Sequence, residues 1–226
     1  MKDIKAIKGK FYIRKLIDEG EHEHQDFKYA ISDARKIARS ISAFANNDGG
    51  RLLIGVKDNG SVVGVPNEED IYMIEHAASS YCNPPQEVEI TAFVAEGGAI
   101  VLRATINRAS QRPVYCLEEK DQRVAYYRVK DENIVAHPLM VEAWELASGD
   151  EQQPWGTLTE EDLSLLRHLR ENEISTLEKY MISNHRSKQS ARQTVVRLLA
   201  MGIIKMEHHP DGFYIKHVDN EPDDQI

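Results

Sequence analysis

Ile41-Ser42-Ala43-Phe44-Ala45-Asn46-Asn47-Asp48-Gly49-Gly50-Arg51-Leu52-Leu53-Ile54-Gly55-Val56-Lys57-Asp58-Asn59-Gly60 is the stretch on which the fold turns. Its first half completes a helical pattern in which Ala34, Ile37, Ala38, Ile41 and Phe44/Ala45 share one apolar face, while Arg35, Lys36 and Arg39 project from the other. Ser32 is the expected N-cap of this helix. The run from Asn46 to Gly50 ends it, because Asn and Gly accept the left-handed backbone that helix C-termini need. Arg51 to Val56 then reads as a strand, Asp58-Asn59-Gly60 as a tight primed turn, and Ser61 to Val65 as the returning partner strand. A helix passing directly into a β-rich hairpin fits an α+β domain.

Upstream, Ile4 to Ile17 alternates basic and apolar positions at helical spacing and reads as a short amphipathic helix or arm, and Asp26-Phe27-Lys28 as a short strand. Downstream, a helix is expected from Glu68 to Tyr81, stopped by Asn83-Pro84-Pro85. Strands follow over Glu87 to Val94, Ala99 to Ile106 and Ala125 to Val129. Pro113-Val114-Tyr115 and Tyr126 to Val129 are expected as late edge strands of the same mixed sheet. Val141 to Ala147 closes the domain as a short helix. This gives an α+β domain over residues 1–147 and a linker over 148–156. Residues 157–217 hold three helices, the first two capped by Thr159 and Ser175 and the third starting at about Ser187, and a hairpin through His208-His209-Pro210-Asp211. Together these read as a small winged-helix domain. Residues 218–226 read as a disordered acidic tail.

With 41% hydrophobic and 29% charged residues, the 226-residue chain has the composition of a globular protein, and no apolar run approaches a membrane span. No secretory signal is legible at Met1 to Lys5, so the chain is expected in the cytoplasm. Cys82 and Cys116, without CxxC spacing, read as reduced structural thiols. The net charge of −9 argues against coating nucleic acid by bulk electrostatics. The charge is uneven, however: residues 157–217 carry nine basic and eight acidic side chains, whereas 218–226 carry four acids and no base. His22 and His24 lack an HExxH or cysteine context and read as structural. No GxxxxGK[ST] loop is present, so ATP hydrolysis is not expected.

Three segments in order, Glu21-His22-Glu23-His24-Gln25-Asp26-Phe27-Lys28, the Ile41 to Asn46 run with Gly49-Gly50, and Leu53 to Gly60, resemble the Schlafen/AlbA-like family, also catalogued as divergent AAA-type regulators. The resemblance extends to Tyr126-Tyr127-Arg128-Val129 and covers roughly residues 10–140. It implies an α+β domain associated with nucleic acid. In Schlafen relatives it also implies an endoribonuclease built on three acids, carried here by Glu21, Asp26 and Asp58. Asp26 stands where the family pattern has Glu, and His22 where it has Ser. Such carboxylates would hold Mg²⁺ or Mn²⁺ through oxygen ligands.

For phosphate contact, Lys28, Arg35, Lys36, Arg39 and Arg51 are the candidates in the first domain. In the winged helix the third helix is the recognition element. Ser187, Lys188, Gln189, Arg192, Gln193 and Arg197 are expected outward, opposite the apolar stripe Ala191, Val195, Leu198 and Leu199. Three function classes compete. A DNA-binding transcriptional regulator acting as a homodimer leads, with RNA as the other candidate ligand. A divalent-metal-dependent ribonuclease and a protein-interaction scaffold are the alternatives.

Overall fold

The computed structural model describes residues 5–149 and 156–218. The expected helix start at Ile4, most of the expected linker and the acidic tail from Asp219 lie outside the described residues. The chain divides into two compact units, Met1–Ala136 and His137–Ile226. The fold is α+β, and no helix among the described residues is long and apolar enough to cross a membrane.

The first unit runs β1 (Ile7–Lys8), α1 (Lys10–Glu19), β2 (Gln25–Lys28), α2 (Ala34–Asn46), β3 (Gly50–Ile54), α3 (Glu69–Ser80), β4 (Cys82–Asn83), β5 (Val88–Val94), β6 (Ile100–Ile106), β7 (Tyr115–Leu117), β8 (Arg123–Val129) and β9 (Glu132–Val135). Five strands form a mixed sheet in the order β1-β5-β6-β3-β2, with β1/β5 and β2/β3 parallel and the inner pairs antiparallel. Successive side chains of a strand point to opposite faces, and β3 is buried on both. Leu52 and Ile54 pack with Ile37, Ile41 and Phe44 of α2, whereas Leu53 packs with Ile13 and Leu16 of α1 and with Phe27. Each of these fully buried aliphatic side chains contributes roughly 1.5–3 kcal/mol.

Asp33, not Ser32, caps α2, its side chain accepting from the Arg35 N–H at 2.9 Å. At the far end Gly49 has φ +81°, and a Cβ there would meet the Ile106 carbonyl oxygen at 2.8 Å, so the turn from α2 into β3 needs glycine. The expected hairpin is only partly formed. Lys57 N donates to Ser61 O at 3.0 Å, and Val56 bridges Val62. The returning segment then leaves, because Val65 N donates to Ile100 O at 2.8 Å. β3 instead takes β6 and β2 as its partners.

The late strands form a second sheet rather than an edge of the first: β4-β7-β8-β9, antiparallel throughout. Polar side chains at the end of α2 hold it. Ser42 Oγ donates to Val114 O at 2.7 Å and accepts from Tyr126 N at 3.1 Å. Asn46 bonds both backbone groups of Val114 and the Tyr126 carbonyl, satisfying strand groups that burial would otherwise leave unpaired. Cys82 and Cys116 face each other across β4/β7 as free, buried thiols, and burial pushes both up to about 12.

The second unit runs α4 (Pro138–Ala147), α5 (Glu160–Asn172), β10 (Ile174–Ser175), α6 (Leu177–Ser183), α7 (Lys188–Ala200), β11 (Ile204–His209) and β12 (Gly212–His217), its strands ordered β10-β12-β11. The helix expected to close the first domain is α4, and its Leu139 and Ala143 join Leu165, Leu169, Tyr180, Val195 and Ile215 in this unit's core. Thr159 and Asp162 cap α5 reciprocally, and Ser187 caps α7. Thr176 rather than Ser175 caps α6; Ser175 lies in β10, its hydroxyl 2.8 Å from His168 Nε2.

Candidate nucleic-acid interface

The acids Glu21 and Asp26 meet at β2. Glu21 Oε1 accepts from the Phe27 N–H at 2.8 Å, and burial, together with a hydrogen bond to Asp26, raises its carboxyl above the ordinary range. Asp26 is 4% exposed. Lys28 Nζ lies 2.6 Å from its Oδ2 and Arg128 Nη2 3.5 Å from its Oδ1. Asp58 is exposed on the turn after β3 and lines a groove with Arg14, Asp18, Gly20 and Phe27. Among the described residues no group of three or more His, Cys, Asp or Glu side chains comes together as a metal site. The residues present do not fit Mg²⁺ or Mn²⁺: two carboxylates are close, but one is already paired with a lysine and a buried arginine, and among the described residues Asp58 does not join them in one cluster.

Arg128 completes this corner and was not singled out as a site residue in the sequence. It is 1% exposed; Nη1 donates to Asn133 Oδ1 at 3.0 Å, Nη2 to Gln25 O at 3.2 Å, and its guanidinium lies 5.0 Å from the Phe44 ring centre. The signal was present in the resemblance of Tyr126 to Val129, but burial of an arginine is invisible to a strand pattern.

The candidate cations of the first unit divide by partner. Lys28 is held by Asp26. Arg39 makes a bidentate pair with Glu118, 2.7 Å at both contacts, and Glu118 also accepts from Tyr126 Oη at 2.8 Å. The Arg39 hydrogen bonds hold the Glu118 carboxyl below its ordinary range. Arg51 bonds Gln25 Oε1 at 2.6 Å and pairs with Glu19. Arg35 lies over the Tyr81 ring at 5.3 Å. Lys36 is exposed on α2.

On α7, Ala191, Val195 and Leu198 are buried, and the six residues expected outward divide by exposure. Ser187, Lys188, Gln189 and Gln193 are exposed. Arg192 and Arg197 are half-buried and turned to acids of the same unit: Arg192 to Glu142 of α4, and Arg197 to Asp162, whose side chain is 2% exposed. What remains available to a ligand is one lysine, two glutamines and a serine at the start of a helix, a set suited to phosphate contact and base-edge hydrogen bonds.

The sequence profile of the Schlafen, AlbA_2 family matches residues 21–137, more than half of the chain. Two solved structures are similar. The DIP2311 protein from Corynebacterium diphtheriae is 17% identical with a TM-score of 0.43, covering 84% of this chain and 34% of its own. The N-terminal domain of an ATP-dependent DNA helicase RecG-related protein from Nitrosomonas europaea is 22% identical with a TM-score of 0.40, covering 58% of this chain and 96% of its own. The chain thus spans about a third of the length of the Corynebacterium protein it matches. No curated protein matches it.

Proposed function

Since the chain belongs to the Schlafen, AlbA_2 family, whose domain is nucleic-acid-related, we propose that it is a DNA-binding regulator in which the second unit carries the sequence preference. The order helix, strand, helix, helix, hairpin over α5 to β12 supports a winged-helix reading of that unit, with α7 as the recognition helix. The observation that carries the proposal is the exposed polar edge of α7, Ser187, Lys188, Gln189 and Gln193, on a helix whose opposite face is locked into the core. In the first unit Lys36 is the candidate phosphate contact, because Lys28, Arg39 and Arg51 are already engaged with acids.

Binding as a homodimer that spans two half-sites, and residence in the cytoplasm, complete the reading. The buried free thiols of Cys82 and Cys116 agree with a reducing compartment. Light scattering should give twice the 25.7 kDa chain mass.

The test combines labelled duplex DNA, single-stranded RNA and structured RNA with the purified protein, with and without Mg²⁺ or Mn²⁺, scoring mobility shift and cleavage together. A salt-sensitive shift on duplex DNA without cleavage is expected. Metal-dependent cutting of RNA that disappears in Asp58→Ala would replace this reading with a nuclease.

A further inference from the structure

A groove of about 720 Å³ opens on the second unit between α5 and the end of β12, away from the residues assigned to DNA on α7. Leu163, Leu166 and Leu169 line it on one side. Leu169 belongs to the core, but Leu163 is 38% exposed, an apolar surface left open to solvent. The charged lining is one-sided: Arg167, Arg170 and Lys216 against the single acid Glu173, with His217 at the edge.

Arg167 has little to hold it. Arg167 reaches Glu160 only at 3.8 Å with both side chains more than two-thirds exposed, and Lys216 approaches Glu207 at 3.4 Å. An exposed pair such as Arg167–Glu160 contributes between nothing and about 1 kcal/mol, so exchanging Glu160 for an incoming carboxylate costs little, whereas Lys216 sits half-buried beside Glu207 and adds its charge to the rim. On a chain of net charge −9, a leucine-floored groove with three cations on its rim stands apart from its surroundings.

We infer that this groove docks an acidic amphipathic peptide from a partner protein, its apolar side chains entering against Leu163 and Leu166 and its carboxylates pairing with Arg167, Arg170 and Lys216. The leucines decide between polyanions. A nucleic-acid backbone would satisfy the cations but leave the apolar floor facing phosphates, whereas a peptide with alternating apolar and acidic faces meets both.

The test uses the full chain and a fluorescein-labelled peptide of about twelve residues with leucine at every third or fourth position and glutamate between. Fluorescence polarisation should rise with protein and weaken with salt. The pair R167E/R170E and, separately, Leu163→Asp should each weaken binding about tenfold or more, with thermal melting showing that both variants fold. Arg167→Lys with Arg170→Lys, which keeps the charge, should retain most of the affinity. Absence of a polarisation rise, or equal binding of the same peptide with lysine in place of glutamate, would overturn the inference. So would displacement of the peptide by a duplex or single-stranded oligonucleotide, which would assign the groove to nucleic acid. A concentration-dependent mass doubling lost in Leu163→Asp would assign it to a second copy. A gain in peptide affinity on removing residues 219–226 would assign it to this chain's own acidic segment.

Discussion

Asn47 and Arg128 hold each other through one side-chain amide: the Arg128 N–H donates to Asn47 Oδ1 at 3.0 Å, and Asn47 Nδ2 donates to the Arg128 carbonyl at 3.0 Å. The amide at the end of α2 stands in for a neighbouring strand. Asn46 repeats the device on Val114, accepting from its N–H at 2.7 Å and donating to its carbonyl at 2.9 Å, while also reaching the Tyr126 carbonyl at 2.8 Å. The most recognisable segment of the family pattern is therefore a structural clamp between α2 and the four-stranded sheet.

Asn46→Ala should accordingly unfold the first unit more readily without touching any exposed surface. It takes the side-chain partner from the Val114 N–H and from the Tyr126 carbonyl, while the Val114 carbonyl keeps Ser42 Oγ at 2.7 Å, and each buried group left unpaired costs about 1–3 kcal/mol. Partial relaxation keeps the expected total at about 2–4 kcal/mol. Urea denaturation followed by far-UV circular dichroism reads the loss, and an unchanged midpoint would show that the clamp is dispensable.

Glu21→Gln should stabilise the protein at neutral pH. Burial and the neighbouring Asp26 raise the Glu21 carboxyl above its ordinary value of 4.5, so its folded-state stability is complete below that value and is lost as pH rises through the raised one. Glutamine stays neutral, can still accept from the Phe27 N–H and can donate to Asp26. The variant and the parent should therefore melt alike below about pH 4, with the variant melting higher at pH 7. An equal melting temperature at both pH values would remove the carboxyl interaction as a cause.

Much of this was legible in the residues, and the rest failed for physical reasons. The α2 face, its Gly49 stop, the apolar run of β3 and the alternating patterns of β5 and β6 follow from spacing, because a 3.6-residue period and a strand's alternation are local properties. The split into two sheets was not legible, since Tyr115 and Tyr126 lie on ordinary strand patterns, and the side chains of Ser42, Asn46 and Asn47, distant in sequence, hold those strands in place. Site residues suffered the same way. Arg39 and Lys36 look alike as outward cations on one helix, but Glu118, 79 positions from Arg39, claims one and not the other.

That Arg39–Glu118 pair should be visible in acid. The Arg39 hydrogen bonds depress the Glu118 carboxyl below 4.5, so its contribution is present above 4.5 and is lost as pH falls through the lower folded value. Glu118→Gln should lower stability by about 1 kcal/mol near neutrality, and the difference from the parent should close as the solution is acidified. A pH-independent difference would mean that the side chain matters for packing rather than charge.

The sharpest test of the DNA reading sets Lys188 against Arg197, two basic residues of the same helix that differ in what they already touch. Lys188 is exposed in the first turn of α7, so Lys188→Ala should leave melting unchanged, weaken duplex binding at every sequence tested, and reduce the slope of log affinity against log salt by about 1. Arg197 pairs with Asp162, which also accepts from Thr159 N and Oγ1 at 2.7 and 2.8 Å to cap α5. Removing the guanidinium leaves a carboxylate of 2% exposure short of its counter-charge, and breaking such a buried pair costs about 3 kcal/mol. Arg197→Ala should therefore lower the melting temperature, while the protein that remains folded binds duplex DNA with the parent's salt slope. If Arg197→Ala instead reduced that slope and Lys188→Ala did not, the phosphate contacts would lie toward the C-terminal end of α7, and the recognition edge proposed at its first turns would be wrong.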